Sequence, residues 1–311
     1  MRRSSGLVIV TLALVGSAFT APVTTAVEPS SLPDAPAAKK GWTEADKAGF
    51  GTARNRSSRL WFTLRGGAVS EVFYPDLSTP SVRSLGLTVS DGTTTDDQGS
   101  DMVTEVSRPD ERSLRFTQVS TDLDGRYRLT EEVITDPLGD ALVIHVRLES
   151  LDGGAHTLGV DYDPALGNGG DDDLGRSRDH VLYAVDKDDR IASALVASPR
   201  LEQGTDATDV DLVQTGVLPT VDGETTIGLG FGSTRGAAGT TARAALTTPY
   251  DEVRGAYDDG WHLYLDSLKR VPTSARAIQR QYSASALVLA AGEDKTHRGA
   301  FIASPSVPWV W

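Results

Sequence analysis

Apolar and polar positions alternate in short runs along most of this chain. From about Trp42 to Phe231 these runs are punctuated by Gly, Asp, Asn and Pro, the spacing expected of a large antiparallel sandwich. Ala141 to Glu149 carries the clearest period of two. Leu142, Ile144, Val146 and Leu148 fall on one face, and Val143, His145, Arg147 and Glu149 on the other, so one side is core and the other partly wet. Leu60 to Arg65, Gly66-Gly67 and Ala68 to Tyr74 read as a hairpin, because two glycines accept the positive φ angles of a tight turn. Further strands are expected at Leu85 to Ser90, Leu114 to Ser120, Tyr127 to Ile134, Thr157 to Tyr162, Val181 to Val185, Ile191 to Ala197 and Thr226 to Phe231. Asp91-Gly92, Asp124-Gly125 and Asp222-Gly223 mark turns between several of them.

The period then changes. After Thr248-Pro249, the residues Tyr250, Val253, Tyr257, Trp261, Tyr264, Leu265 and Leu268 recur at three- and four-residue steps, which predicts a long amphipathic helix. Thr248 is the expected cap, Asp251 and Glu252 suit its first turn, and Lys269 and Arg270 its last. A second helix is expected from Ser274, with Ile278, Tyr282, Leu287, Val288 and Leu289 as its apolar positions and Gly292 as its stop. The closing residues, Phe301 to Trp311, are apolar and include Trp309 and Trp311. Buried aromatics each remove roughly 150–250 Å² from water, so this stretch reads either as a tail that tucks back into the sandwich or as the opening of a further domain.

The first residues add a destination. Arg2 and Arg3 precede an uncharged apolar run from Leu7 to Ala21, and Thr24-Thr25-Ala26 follow with small side chains. That is the pattern of a secretory signal, residues 1–26, cut after Ala26, and the run is nearer ~15 residues than the ~20 of a membrane span. Residues 27–40, rich in Pro, Ala and Ser, read as a disordered linker. The expected location is therefore extracellular, with no membrane association after cleavage. Cysteine is absent, which excludes disulfides, thiolate metal sites and cysteine nucleophiles. A formal charge of −13 spread along the chain disfavours nucleic acid and anionic surfaces, but is indifferent to a neutral sugar.

Few motifs carry chemistry. The five histidines are scattered without metal-ligand spacing, and no phosphate loop, Gly-x-Ser-x-Gly elbow or His-Glu-x-x-His helix is present. Asp161, Asp163, Asn168 and Asp171 offer hard oxygen ligands that could gather around calcium, although their spacing fits no calcium-loop signature. The alternative is a solvated acidic loop.

Longer matches are more specific. Gly49-Phe50-Gly51-Thr52-Ala53, Leu60-Trp61-Phe62-Thr63-Leu64 and Glu71-Val72-Phe73-Tyr74-Pro75 resemble the N-terminal domain of bacterial glucodextranases and glucoamylases, glycoside hydrolase family 15. Thr79-Pro80-Ser81-Val82-Arg83, Asp161-Tyr162-Asp163-Pro164, Gly260-Trp261-His262 and Glu293-Asp294-Lys295-Thr296 continue the likeness, which runs from Trp42 to Trp311. The resemblance implies an all-β fold: a large antiparallel β-supersandwich of the galactose-mutarotase-like type over residues 41–247, followed by a short helical C-terminal segment. Residues 248–273 would be a linker helix. Residues 274–311 would be the first helix and loop of a truncated (α/α) barrel, with Trp309 and Trp311 near the sugar.

In that family the barrel holds both catalytic carboxylates, and neither has a counterpart here. The resemblance thus implies a non-catalytic accessory domain of a secreted α-glucan hydrolase, whose partners are the missing catalytic barrel and its glucan. Two other readings stay open. One is a free-standing carbohydrate-binding module using Trp42, Trp61, Trp309 and Trp311 as stacking platforms. The other is a sugar mutarotase, for which His145 and His180 are the strand-associated candidates.

Overall fold

A computed structural model describes residues 41–168, 173–205 and 213–307. The strands, in chain order, are β1 (Gly49–Gly51), β2 (Trp61–Arg65), β3 (Ala68–Phe73), β4 (Pro80–Ser90), β5 (Thr95–Asp97), β6 (Met102–Ser107), β7 (Phe116–Asp122) and β8 (Tyr127–Thr135). They continue as β9 (Ala141–Ser150), β10 (Thr157–Pro164), β11 (Leu174–Arg178), β12 (Val181–Asp186), β13 (Ile191–Ser198), β14 (Glu202–Gly204), β15 (Gln214–Leu218) and β16 (Glu224–Gly232). Three α-helices follow: α1 (Arg235–Ala245), α2 (Tyr250–Ser267) and α3 (Gln279–Ala291).

The strands form two antiparallel eight-stranded sheets. One runs β1-β2-β3-β4-β10-β15-β14, with β5 also on β4, and the other runs β11-β12-β13-β16-β9-β8-β7-β6. The expected supersandwich is therefore the observed architecture, and each expected strand is present. The Gly66-Gly67 hairpin is also present, with φ of 58° and 84°. The inner faces share a core that includes Phe62, Leu64, Leu85, Tyr127, Leu129 and Ile144. Tyr162 on β10 reaches across to β13, its hydroxyl 2.7 Å from Ser193 Oγ.

A polar group sits inside this core. Along β8 the period of two places Tyr127, Leu129, Glu131 and Val133 on one face, and all four are buried. Gln98 Nε2 donates to Glu131 Oε1 and, at 3.0 Å, to Ser120 Oγ, while Gln98 Oε1 accepts from Leu87 N at 3.1 Å. Burial pushes the Glu131 carboxyl up to about 8, against the pull of the Gln98 amide. Removing a carboxylate from water without a cation disfavours its ionised form.

The helices differ from expectation in four respects. Within the segment assigned wholly to the sandwich, α1 lies on the outer face of the second sheet. Its contact side is Ala238, Ala242 and Ala245, and β16 receives it with glycines. A Cβ on Gly230 would lie 2.2 Å from Ala242 N, so only glycine admits the helix this close. Thr234 caps α1, accepting from Ala237 N at 3.2 Å. Thr248, by contrast, does not cap α2: Pro249 holds the N-cap position and offers no side-chain acceptor. Lys269 and Arg270 fall beyond the helix, which ends at Ser267. The segment from Ser274 begins as a 3-10 turn, Thr273–Ile278, and becomes α-helical only at Gln279.

Candidate functional site

Helix α2 is mounted on the sandwich by one stripe. Val253, Tyr257 and Trp261, four residues apart, are buried, so a single helical face meets the sheets. The Tyr257 hydroxyl donates to Leu114 O at 3.0 Å, and the Trp261 indole donates to Thr52 O at 3.0 Å. Around this stripe Arg115 pairs with both Glu132 and Asp258 at 3.1 Å, and Arg112 reaches Asp266 at 2.5 Å. His262 Nε2 lies 2.6 Å from Asp110.

Helix α3 is held at its end. Leu287 and Ala291 are its buried residues, and the buried Trp61 indole donates to Ala291 O at 2.9 Å. In the segment after it, Asp294 accepts the backbone N–H groups of Leu77, Thr296 and His297 at 3.2, 2.8 and 2.6 Å. Lys295 is buried beside them. Its ammonium donates to Thr52 Oγ1 and Ser58 O, both at 2.5 Å, and sits 4.9 Å from the Trp61 ring centroid. Burial pulls this lysine down to about 7, and the field of Asp140 opposes that change.

With one side held in this way, the other side of the helical layer is apolar and open. Ile278, Tyr282, Val288 and Leu289 are 53%, 42%, 47% and 67% exposed. Tyr282 and Leu289, seven residues apart, lie on one side of α3, Ile278 closes the 3-10 turn that leads into it, and Val288 borders a separate groove with Phe50 and Phe116. This face is the candidate functional site. Its sequence signal is the apolar period from Ile278 to Leu289, which does not by itself say that only Leu287 points inward.

The candidates read from the sequence are not gathered into a catalytic centre. Asp161 and Asp163 lie on β10, where Arg83 approaches Asp163 to 3.5 Å. Asn168 ends a 3-10 turn with a φ of 68°, and Asp171 lies outside the described residues. Among the described residues no group of three His, Cys, Asp or Glu side chains could hold a metal ion. Trp309 and Trp311 also lie outside the described residues.

Trp61 is buried in the core and Trp42 is half-buried, with the Arg83 guanidinium 5.8 Å from its ring centroid, so neither is an open platform. His145 stacks on Tyr250 at 4.8 Å, whereas His180 sits in an exposed turn with its Nδ1 2.8 Å from Leu201 O. β13 and β16 separate their strands, roughly 14 Å at the usual strand spacing. They cannot act together on one sugar carbon. A cleft of about 740 Å³ opens at another part of the sandwich, where Arg59 pairs with Asp140 at 2.6 Å beside the stacked Tyr74 and Phe231 rings. Both rings are buried, so their faces are not offered to a ligand.

Known proteins share this fold. The chain is 31% identical to a glucoamylase of Clostridium sp. (strain G0005), over 90% of this chain and 43% of the relative. A crystal structure of a bacterial glucoamylase complexed with acarbose superimposes with a TM-score of 0.81 at 29% identity, covering 90% of this chain and 46% of that one. A putative kojibiose phosphorylase from the human microbiome shares the fold, with a TM-score of 0.54 at 11% identity over 78% of this chain and 36% of that one. The chain thus spans less than half the length of the glucoamylases it matches. The family model described as glucodextranase, domain N, matches residues 32–208 and 200–266, most of the chain, and the protein belongs to that family.

Proposed function

We propose that this chain is the exported N-terminal accessory domain of an α-glucan hydrolase of the glucoamylase or glucodextranase type. It supports a catalytic (α/α) barrel, and the outer face of α3 is where that barrel docks. One observation carries the reading: a chain that follows two glucoamylases over 90% of its length, yet spans less than half of each, turns four large apolar side chains of its last helical layer to solvent. Covering such side chains contributes on the order of 1–2 kcal/mol each when about half their surface leaves water. The basic, apolar and small-residue pattern of residues 1–26 supports export.

The test is hydrolysis by the isolated chain. Glucose release from maltodextrin and dextran should stay at the rate of buffer, and starch or dextran columns should not retain the protein. Release at an enzymatic rate overturns the accessory role, and retention shifts the reading to a carbohydrate-binding module. Polarimetry of freshly dissolved α-glucose should show no acceleration, which a mutarotase would produce.

A further inference from the structure

The apolar face of α3 has a charged border of one sign. From Leu268 to Ala291 the chain contains Lys269, Arg270, Arg276 and Arg280 and no Asp or Glu, a stretch of +4 in a protein whose formal charge is −13. Three of these cations line a groove of about 480 Å³ between the end of α2 and the start of α3, together with Leu268 and Tyr282. The one carboxylate in the groove, Asp266, is engaged by Arg112 at 2.5 Å. Arg280 pairs with Glu111 at 3.0 Å. Among the described residues no carboxylate forms a salt bridge with Lys269, Arg270 or Arg276, and all three are exposed. Leaving three cations unpaired beside Ile278 and Tyr282 gives a surface that is apolar along its axis and positive along one border.

Resting on the docking face described above, we propose that its occupant is a helix with an apolar stripe flanked by carboxylates, so that acidic side chains enter the groove while apolar ones cover α3. An amphipathic helix laid on an apolar face is a recurrent mode of recognition, and complementary borders set its register and speed its arrival. A nucleic acid offers negative charge without the apolar stripe, and the remainder of this acidic chain repels it. A second copy of this chain would bring its own positive border against the same border.

The experiment uses the full chain and two labelled synthetic helices of about 18 residues, each with leucines at three- and four-residue steps. In one the leucines are flanked by glutamates, in the other by lysines. Fluorescence anisotropy should show the glutamate helix binding at least about tenfold more tightly, with that preference collapsing between about 50 and 500 mM salt as the charges are screened. The triple variant Lys269→Glu, Arg270→Glu, Arg276→Glu should reverse the preference while its circular dichroism stays that of the parent chain. If both helices bind alike, or the triple variant keeps the preference for glutamate, the acidic occupant is refuted. Binding that Leu289→Asp abolishes but the charge variant leaves unchanged retains the docking face and removes this inference alone. Binding of neither helix removes both. Self-association in sedimentation that the triple variant loses assigns the face to a second copy and also refutes the proposal.

Discussion

Glu131 lies between the two sheets with the Gln98 amide as its hydrogen-bond donor and no cation beside it. Its carboxyl is raised from 4.5 to about 8 by burial, so between these values the folded chain holds a proton that the unfolded chain releases. Stability from this group is complete below pH 4.5 and falls as pH rises towards 8. Each tenfold difference in proton affinity between the folded and unfolded chain is worth ~1.4 kcal/mol, so the loss between about pH 5 and 8 is roughly 3–4 kcal/mol. Glu131→Gln keeps the acceptor for Gln98 and never ionises. Urea denaturation should therefore give the variant a stability within ~1 kcal/mol of the parent at about pH 5 and a lead of about 3 kcal/mol at about pH 8. Equal differences at both pH values, or a variant less stable at the higher one, would refute a neutral, buried Glu131.

Other substitutions probe the rest of the scaffold. Gly230→Val should destabilise the protein by about 3 kcal/mol or more, read by thermal melting, because its Cβ meets the α1 backbone at 2.2 Å and a helix cannot yield as a side chain can. Lys295 has the opposite pH sign to Glu131: the unfolded chain binds the proton that the folded chain lacks between about 7 and 10.5, so stability from this group rises across that window, and Lys295→Met should flatten the rise in urea titrations. Leu287→Ala, on the buried side of α3, should cost about 2–5 kcal/mol in the same assay. Leu289→Asp, two residues on and 67% exposed, should stay within about 0.5 kcal/mol of the parent.

The sandwich was legible because its strands obey a period of two against a buried face. Ala141–Ser150 shows Leu142, Ile144 and Val146 inside as the pattern demands, and Val143 is also buried because helices cover the outer face. Glu131 was legible in the same way, since it shares a face with Leu129 and Val133, but its charged type directs attention elsewhere. Helix α1 gave no period: its contact residues are alanines and its seat is glycine, so neither side presents a large apolar residue. The three-residue strands β5 and β14 are too short for alternation and exist through their partners. Nor could the sequence separate the inward Leu287 from the outward Val288 and Leu289, since orientation depends on where Trp61 and Thr52 receive the end of α3 and Lys295.

Immunodepletion tests the accessory role in the protein as the cell makes it. An antibody raised against residues 41–307 should remove α-glucan-hydrolysing activity from the culture medium of the producing organism in proportion to the chain it removes. Medium that loses the chain but keeps its full rate of glucose release would contradict the account.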